Sequence, residues 1–236
     1  MTAGQSAPSI WMRPERAALG RPAQRSRAGI TAAAIGIADR EGLDAVSMRR
    51  VAAELGTGAA SLYRYVETRE DLLDLMTDAA GGEYTLGEPS GDWLADLVAV
   101  AGQSREIFRR HPWLANLAIT RPVLGPNGIA VLEYVLTVLA PHPADLATKM
   151  EAFATLNGVT ALYAYYELAG GSALQQRNVA YLQYAAASGE HPRLTGLLSQ
   201  AAAGGPAEEY DVADRFEAIL ARILTGVLGE EAPRTW

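Results

Sequence analysis

Apolar residues near the start of the chain recur at intervals of three and four positions, the spacing of one face of an α-helix. This period begins at Ile30 and stops before Gly42, a residue suited to end a helix, and Ser26 is a plausible start. A first helix is therefore predicted. Its apolar face consists of Ile30, Ala33, Ala34, Ile37 and Ala38.

Two short helices separated by a tight turn are predicted next. Ser47 is a suitable N-cap, Val51 and Leu55 share one face, and Gly56 can adopt the left-handed conformation that ends a helix. The helical period then resumes over residues 59–66. Two short helices that flank a glycine-containing turn make a helix-turn-helix.

A fourth helix follows this pair. Thr68 and Asp71 have the spacing of a capping box, with Asp in place of the usual Glu or Gln. Gly81, Gly82 and the glycine-rich stretch 87–91 close this region, so a domain boundary is expected there.

The remainder of the chain predicts longer helices separated by prolines and glycine pairs. No run of alternating β-branched residues indicates a sheet, and no fixed repeat indicates a solenoid. The expected fold is all-α, with a flexible arm over 1–24, a small helical domain over 25–82 and a larger helical domain over 92–230. The helices of the larger domain are predicted near 92–110, 113–119, 126–140, 144–169, 173–188 and 208–228.

Charge is distributed unevenly along the chain, whose net charge is −7. Residues 1–66 hold nine arginines against five acidic residues, whereas the rest holds eleven basic against twenty-two acidic residues. A basic first domain can meet phosphate while an acidic body stays soluble and is repelled from a duplex.

Several classes of protein are disfavoured by what the sequence lacks. There is no cysteine, and the three histidines show no metal-binding spacing, so no metal and no cofactor are expected. No nucleophile motif or phosphate-binding loop is present, so an enzyme is not expected. No apolar run has the length of a leader or a membrane span, which favours a cytoplasmic protein without membrane contact.

Three segments together resemble the DNA-binding domain of the TetR family of transcriptional regulators. Residues 45–56 read AVSMRRVAAELG, residues 61–66 read SLYRYV, and residues 68–73 read TREDLL. The resemblance covers residues 25–80. It implies a three-helix helix-turn-helix domain that binds operator DNA, followed by a larger helical domain for effector binding and dimerisation.

The expected DNA contacts follow from this resemblance. Arg49 lies where related repressors direct an arginine to guanine, and its planar fork fits the two acceptors of that base. Arg69 matches a basic residue that contacts phosphate. Tyr63 either reaches phosphate or serves mainly in packing, and the departures at Gly58 and Tyr65 leave the base preference open. The full expected set is Arg27, Ser47, Arg49, Thr57, Ala59, Ala60, Ser61, Tyr63, Arg64, Tyr65 and Arg69.

The resemblance also implies a homodimer formed through the last two long helices. The final helix carries a wide apolar stripe, and helix 144–169 offers small residues that permit close approach. The alternative is that both belong to the core of one chain. The stripe consists of Phe216, Ile219, Leu220, Ile223, Val227 and Leu228, and the small residues are Gly158, Ala161 and Ala164.

An effector site is expected in the larger domain. Segment 111–139 is similar in layout to the effector domain of tetracycline-binding family members, but Leu117 stands where their metal-coordinating histidine is expected, so a different ligand is implied. A flat, largely apolar molecule held by a few hydrogen bonds is expected. Each aromatic candidate is either a ligand contact or ordinary core. The candidates are Phe108, Trp113, Leu117, Thr120, Tyr134, Met150, Phe153, Asn157, Thr160 and Tyr181.

The function implied is a repressor that releases a near-palindromic operator when a small effector binds, because a two-fold dimer presents two recognition helices. A constitutive DNA-binding protein without effector is the alternative. In the arm, Arg21, Arg25 and Arg27 are expected either to enter the adjacent minor groove or only to add diffuse charge.

Overall fold

The computed structural model describes residues 9–14, 26–168, 173–203 and 212–229. Within these ranges the chain is helical and contains no strand, so the all-α fold predicted from the sequence is confirmed. No helix in the described ranges has the length and apolar character that crossing a membrane requires. The α-helices are α1 Arg27–Glu41, α2 Met48–Glu54, α3 Ala59–Leu62, α4 Arg69–Gly81, α5 Trp93–Arg110, α6 Pro112–Thr120, α7 Pro126–Val138, α8 Leu146–Leu168, α9 Ala173–Ala187, α10 Pro192–Ala203 and α11 Val212–Leu228.

The residues that were expected to start and stop the first helices do so. The hydroxyls of Ser26 and Ser47 accept backbone N–H groups at the starts of α1 and α2. Gly42 has a φ of 84° after α1, and Gly56 has a φ of 60° in the turn after α2. Residues with a Cβ rarely adopt these backbone conformations, so glycine is needed to bring α2 and α3 together across a tight turn.

The helix α3 is shorter than the predicted 59–66, and the chain continues from Leu62 as a turn in which Val66 donates its N–H to the Leu62 carbonyl at 3.0 Å. The reason lies in the next element, because Thr68 is extended and forms a reciprocal capping box with Asp71. A helix cannot run unbroken into an extended cap. We call residues 59–66 the recognition segment.

The later helices follow the predicted bounds closely, with one addition. Helix α10 begins at Pro192, where the sequence had predicted a break. Proline is tolerated at the first position of a helix, since the N–H it lacks has no partner there in any case. The proline therefore starts a helix in place of ending one. Residues 208–211 of the predicted final helix lie outside the described residues.

Two apolar clusters form the core. The first joins α1 and α4 to α6, the end of α5, and Ala161 and Ala164 of α8, and the second joins α5, α7, α8 and α11. The first cluster thus continues from the predicted small domain into the predicted large one. We call residues 27–81 the head and residues 93–228 the body.

The apolar stripe of α11 divides between two environments. Phe216, Leu220 and Leu228 are buried in the second core cluster of the same chain, as is Leu224. For these residues the alternative of an intrachain core is the one observed. Ile219, Ile223 and Val227 remain partly exposed along the other side of the helix.

Candidate DNA interface and its junction with the body

The recognition segment presents a slim, exposed surface next to α2. Ala60 is exposed, Tyr63 is 49% exposed, and Arg64 is exposed beside it. Arg49 is exposed on α2 and has no side-chain partner among the residues that the structure describes. In the described part of the chain, a small tip thus lies beside two exposed arginines, a combination whose size and positive charge suit a major groove.

The turn that precedes α3 is held by its own hydroxyl groups. The Thr57 and Ser61 hydroxyls lie 2.9 Å apart, and the Ser61 hydroxyl donates to the Gly58 carbonyl at 2.7 Å. These bonds replace the side-chain cap that Gly58 cannot supply. Thr57 and Ser61 are therefore engaged within the turn, and Ala59 is partly buried beside them.

Arg50 differs from its neighbour Arg49 because its charge is already paired. Its guanidinium donates to Glu41 of α1 at 2.7 Å and to Glu54 of α2 at 2.8 Å, and Arg40 joins the same group through Glu54 at 2.9 Å. This network ties α1 to α2. Of these two neighbouring arginines, only Arg49 has no ion-pair partner among the described residues.

Two of the expected DNA contacts are placed elsewhere by the fold. Tyr65 is only 5% exposed and belongs to the first core cluster, because the turn after Leu62 rotates it inward. Arg27 donates from Nε to the Tyr65 carbonyl at 3.1 Å and from Nη1 to the carbonyls of Ile10 and Arg13. Within the described residues, Tyr65 is thus a core residue and the Arg27 guanidinium is bonded to backbone carbonyls of the head.

Arg69 stays exposed at the start of α4, and its Nε donates to the Val46 carbonyl at 3.3 Å. This bond fixes the stem of the side chain next to the start of α2. Arg69 is thus an exposed basic residue held close to the start of α2.

The predicted flexible arm is wrong for residues 9–14. They form a 3-10 turn, Ile10–Met12, and Ile10 is 1% exposed. The sequence pattern missed this because a single buried isoleucine has no period. Arg16, Arg21 and Arg25 lie outside the described residues.

A buried histidine joins the head to the body. His111, between α5 and α6, faces Asp39 of α1 at 2.8 Å from Nδ1 and Glu83 at 2.7 Å from Nε2. The indole Nε1 of Trp113 donates to the same Asp39 oxygen at 2.6 Å, and Arg110 pairs with Glu83 at 2.5 Å. The sequence analysis assigned no role to His111, although its place before a proline at a helix start was a visible signal.

Protonation of His111 is favoured by this arrangement. Burial alone would lower the pKa of His111, but the hydrogen bonds to Asp39 and Glu83 outweigh it and raise the pKa above the ordinary 6.5. Only the imidazolium form can donate from both ring nitrogens at once. In its imidazolium form, His111 places a positive charge between the two carboxylates.

A pH-dependent stability follows from the raised pKa. A group whose folded-state pKa exceeds its unfolded value contributes stability that is complete below the unfolded value and is lost as the pH rises through the folded value. We expect the unfolding free energy of the wild type to exceed that of His111→Gln, by a margin that shrinks as the pH is raised from about 6 to about 9. Urea denaturation at each pH measures the margin.

His191→Gln is the control for this measurement, since His191 is exposed at the start of α10. A margin for His111→Gln that is constant or grows with pH would contradict the proposed protonated bridge.

Two further polar contacts link α4 to the body. Asp78 accepts the N–H groups of Asn127 and Gly128 at 2.9 and 3.1 Å and so caps α7 from outside it. Asp74 accepts from Arg121, at the end of α6, at 2.6 Å. Helix α4, which follows the recognition segment, is thus attached to the end of α6 and to the start of α7.

The predicted effector contacts do not converge on one place. Phe108, Trp113 and Leu117 lie in the first core cluster, whereas Tyr134 and Phe153 pack at the edge of the second. All three side chains of the first group are buried in that cluster, and the Trp113 indole also donates to Asp39.

The polar candidates on α8 bond within their own helix. Thr160 is fully buried and donates to the Leu156 carbonyl at 2.7 Å, and the Asn157 amide donates to the Phe153 carbonyl at 2.9 Å. The remaining three candidates are exposed, namely Thr120 at the end of α6, Met150 on α8 and Tyr181 on α9.

Tyr181 is 68% exposed, so within one chain it does not line the interior of the body.

A buried polar group that the sequence did not single out lies inside the body. Arg105 of α5 donates from Nε to Glu167 of α8 at 3.0 Å, and its guanidinium stands 5.4 Å from the ring centre of Phe216. The Tyr84 hydroxyl bonds to Ser104 one position away on α5. Burial, the larger influence, raises the pKa of Tyr84, so this phenol stays neutral.

Comparison with families of known proteins gives two adjacent matches. Residues 30–76 match the family described as bacterial regulatory proteins, tetR family. Residues 87–230 match the tetracyclin repressor-like C-terminal domain, and this second match alone covers more than half of the chain.

Individual relatives of the chain are also described as transcriptional regulators. DrrR1, an HTH-type transcriptional repressor of Streptomyces coeruleorubidus, is 48% identical over 114 residues, which are 48% of this chain and 42% of that protein. An HTH-type transcriptional regulator of Saccharopolyspora erythraea is 38% identical over 150 residues, 63% of each chain. The chain thus matches less than two thirds of the length of these two relatives.

A solved structure covers more of the chain. ActR, a TetR family protein of Streptomyces coelicolor solved in complex with actinorhodin, has a TM-score of 0.73 and 32% identity, over 89% of this chain and 98% of ActR.

Proposed function

Because the chain belongs to the TetR family of bacterial transcriptional regulators, we propose that it is a dimeric repressor that releases a near-palindromic operator when a small, largely apolar or aromatic effector binds. The family is one of regulators and not of enzymes. The observation that carries the proposal is the surface of α2 and the recognition segment. There Arg49, which has no partner among the described residues, and exposed Arg64 flank a tip of small residues.

The residues we propose for DNA binding fall into two groups. Arg49 reads a base edge in the major groove, and Ala60 allows close approach. Tyr63, Arg64 and Arg69 bind phosphate and set the register of the head on the duplex. Ser47, Thr57, Ala59 and Ser61 shape the turn and its caps, while Arg27 and Tyr65 support the head from within.

We place operator binding in residues 25–82 and effector binding and dimerisation in residues 92–230. The dimer interface proposed is formed by α8 and α11, whose outward sides keep apolar residues. Leu162, Tyr165 and Tyr166 of α8 are exposed, and Ile219 and Ile223 of α11 are partly exposed. Association of two copies would bury them.

The effector site proposed lies within the body. ActR supports this placement, since it shares the fold over most of its length and has been solved with actinorhodin and with (S)-DNPA. In this chain buried Arg105, paired with partly buried Glu167 beside Phe216, supplies a polar group in an otherwise apolar interior. Tyr134 and Phe153 border the same core cluster.

Binding of the protein to the DNA upstream of its own gene tests the operator proposal. Fluorescence anisotropy at physiological salt should show a higher affinity for this DNA than for a shuffled sequence of equal composition. Equal affinity for both would overturn it. Small molecules that raise the melting temperature and also release the DNA identify the effector, whereas operator binding unaffected by every stabilising ligand favours a constitutive DNA-binding protein.

Arg69→Ala is expected to weaken binding to operator and shuffled DNA by the same factor. A phosphate contact carries no base information, so the slope of log K against log salt concentration should fall in magnitude by about one. The salt titration of both DNAs measures this. Arg193→Ala, an exposed arginine of α10 in the body, is the control and should leave both slopes unchanged. A loss confined to the operator would assign Arg69 to base recognition.

A further inference from the structure

The segment 9–14 contacts α4 although it precedes the first helix of the head. Ile10 is buried, and Met12 donates its N–H to the Ser9 carbonyl at 2.9 Å to close the 3-10 turn. Arg13 forms ion pairs with Asp71, which is on α4, and with Glu67, which precedes α4, the second at 2.8 Å. A buried apolar side chain and two ion pairs are thus among the contacts that hold the segment.

These contacts lie where the recognition segment ends. Asp71 is the carboxylate of the capping box that starts α4, so Arg13 binds the same group that orients Thr68. Arg27, the first residue of α1, donates to the carbonyls of Ile10 and Arg13 and to that of Tyr65 in the recognition segment. Segment 9–14 is therefore joined directly to the start of α4 through Arg13, and to the end of the recognition segment through Arg27.

The same segment also contacts the body. A Cβ on Gly125, the residue before α7, would lie 2.5 Å from ring atom Cζ2 of Trp11 and would collide with the carboxylate of Asp78. The indole of Trp11 thus lies against the loop between α6 and α7. Asp78, which caps α7, belongs to α4. Segment 9–14 consequently contacts head and body at once.

The geometry points to residues 9–14 acting as a strap that fixes the recognition segment relative to the body, with Arg13 as a positioning residue for operator binding. This inference rests on the proposed function. The charge of Arg13 is neutralised by two carboxylates and its side chain is 18% exposed, so it is not placed to release counterions from DNA. Its effect on affinity passes through the position of α4.

Arg13→Gln tests this directly, with Gly125→Ala as a second variant that disturbs the strap from the body side. Each should lower operator affinity by roughly two- to thirtyfold. The slope of log K against log salt concentration should stay at the wild-type value, since no phosphate contact is lost. Arg13→Lys, which keeps the charge, should recover part of the affinity, and Met12→Ala, 77% exposed on the same turn, should have no effect.

A slope that falls by about one in Arg13→Gln would overturn the inference and make Arg13 a phosphate contact. Unchanged operator affinity in both variants would overturn it as well.

A second measurement is independent of DNA. The chain has no cysteine, so cysteines introduced at Arg64 in the head and at Glu133 in the body can carry spin labels. With labelled protein diluted in unlabelled protein, the distance distribution between them should broaden or shift in Arg13→Gln and in Gly125→Ala. An unchanged distribution would overturn the strap. Failure of the wild type to prefer its upstream DNA would overturn the proposed function and leave this test standing.

Discussion

Trp113→Ala should lower the unfolding free energy by about 3–5 kcal/mol, the usual range for removing a buried aromatic side chain. Trp113 is 6% exposed in the core cluster shared by head and body, and its indole N–H donates to Asp39 of α1. The substitution therefore removes apolar contacts and a bond between the two parts. Urea denaturation followed by circular dichroism measures the change.

Trp113→Phe separates these contributions. It keeps most of the ring and removes the donor, while Asp39 still pairs with His111. We expect a smaller loss, about 1–3 kcal/mol, for a hydrogen bond to a charged group. Equal losses for Trp113→Phe and Trp113→Ala would contradict a packing role for the indole ring and leave the hydrogen bond as its whole contribution.

Arg49→Ala should reduce operator affinity by about 1–3 kcal/mol, roughly five- to 150-fold, and relax the preference at one base pair of each half-site. The reason is that the Arg49 guanidinium has no partner among the described residues and is available for a bidentate contact with guanine. Anisotropy with a set of singly substituted operators measures both the affinity and the preference.

Arg50→Ala is the matched control, because this adjacent arginine is committed to Glu41 and Glu54. It should leave the base preference unchanged. A uniform loss across all operator variants for Arg49→Ala would move Arg49 to the phosphate contacts.

Much of the head could be predicted from local signals. Ser26, Ser47 and Thr68 cap their helices and Gly42 and Gly56 take positive φ, because these effects depend on neighbours within a few residues. The same locality explains the two errors in the helices. The period of 59–66 did not reveal that Thr68 needs an extended backbone, and Pro192 can start a helix as well as end one.

The candidate site was predictable only in part. The pattern of 45–73 identified the surface that bears Arg49, Arg64 and Arg69, since its residues are close in sequence. It selected Arg49 but gave no sign that Arg50 pairs with Glu41 and Glu54, and it counted Tyr65 among the exposed contacts. Both outcomes depend on what α1 and α4 bring alongside.

The sequence by itself determined the helical fold, the order of the helices, the DNA-binding motif and the family, all of which rest on short-range spacing. Only the tertiary structure decided which polar groups meet across the junction: His111 with Asp39 and Glu83, Asp78 with the start of α7, and Arg13 with Asp71. These partners are distant in sequence, and the spacing of charged residues along the chain does not show which of them will pair. Their pairing follows from burial, which makes an unpaired polar group costly and so selects the packing in which each finds a partner.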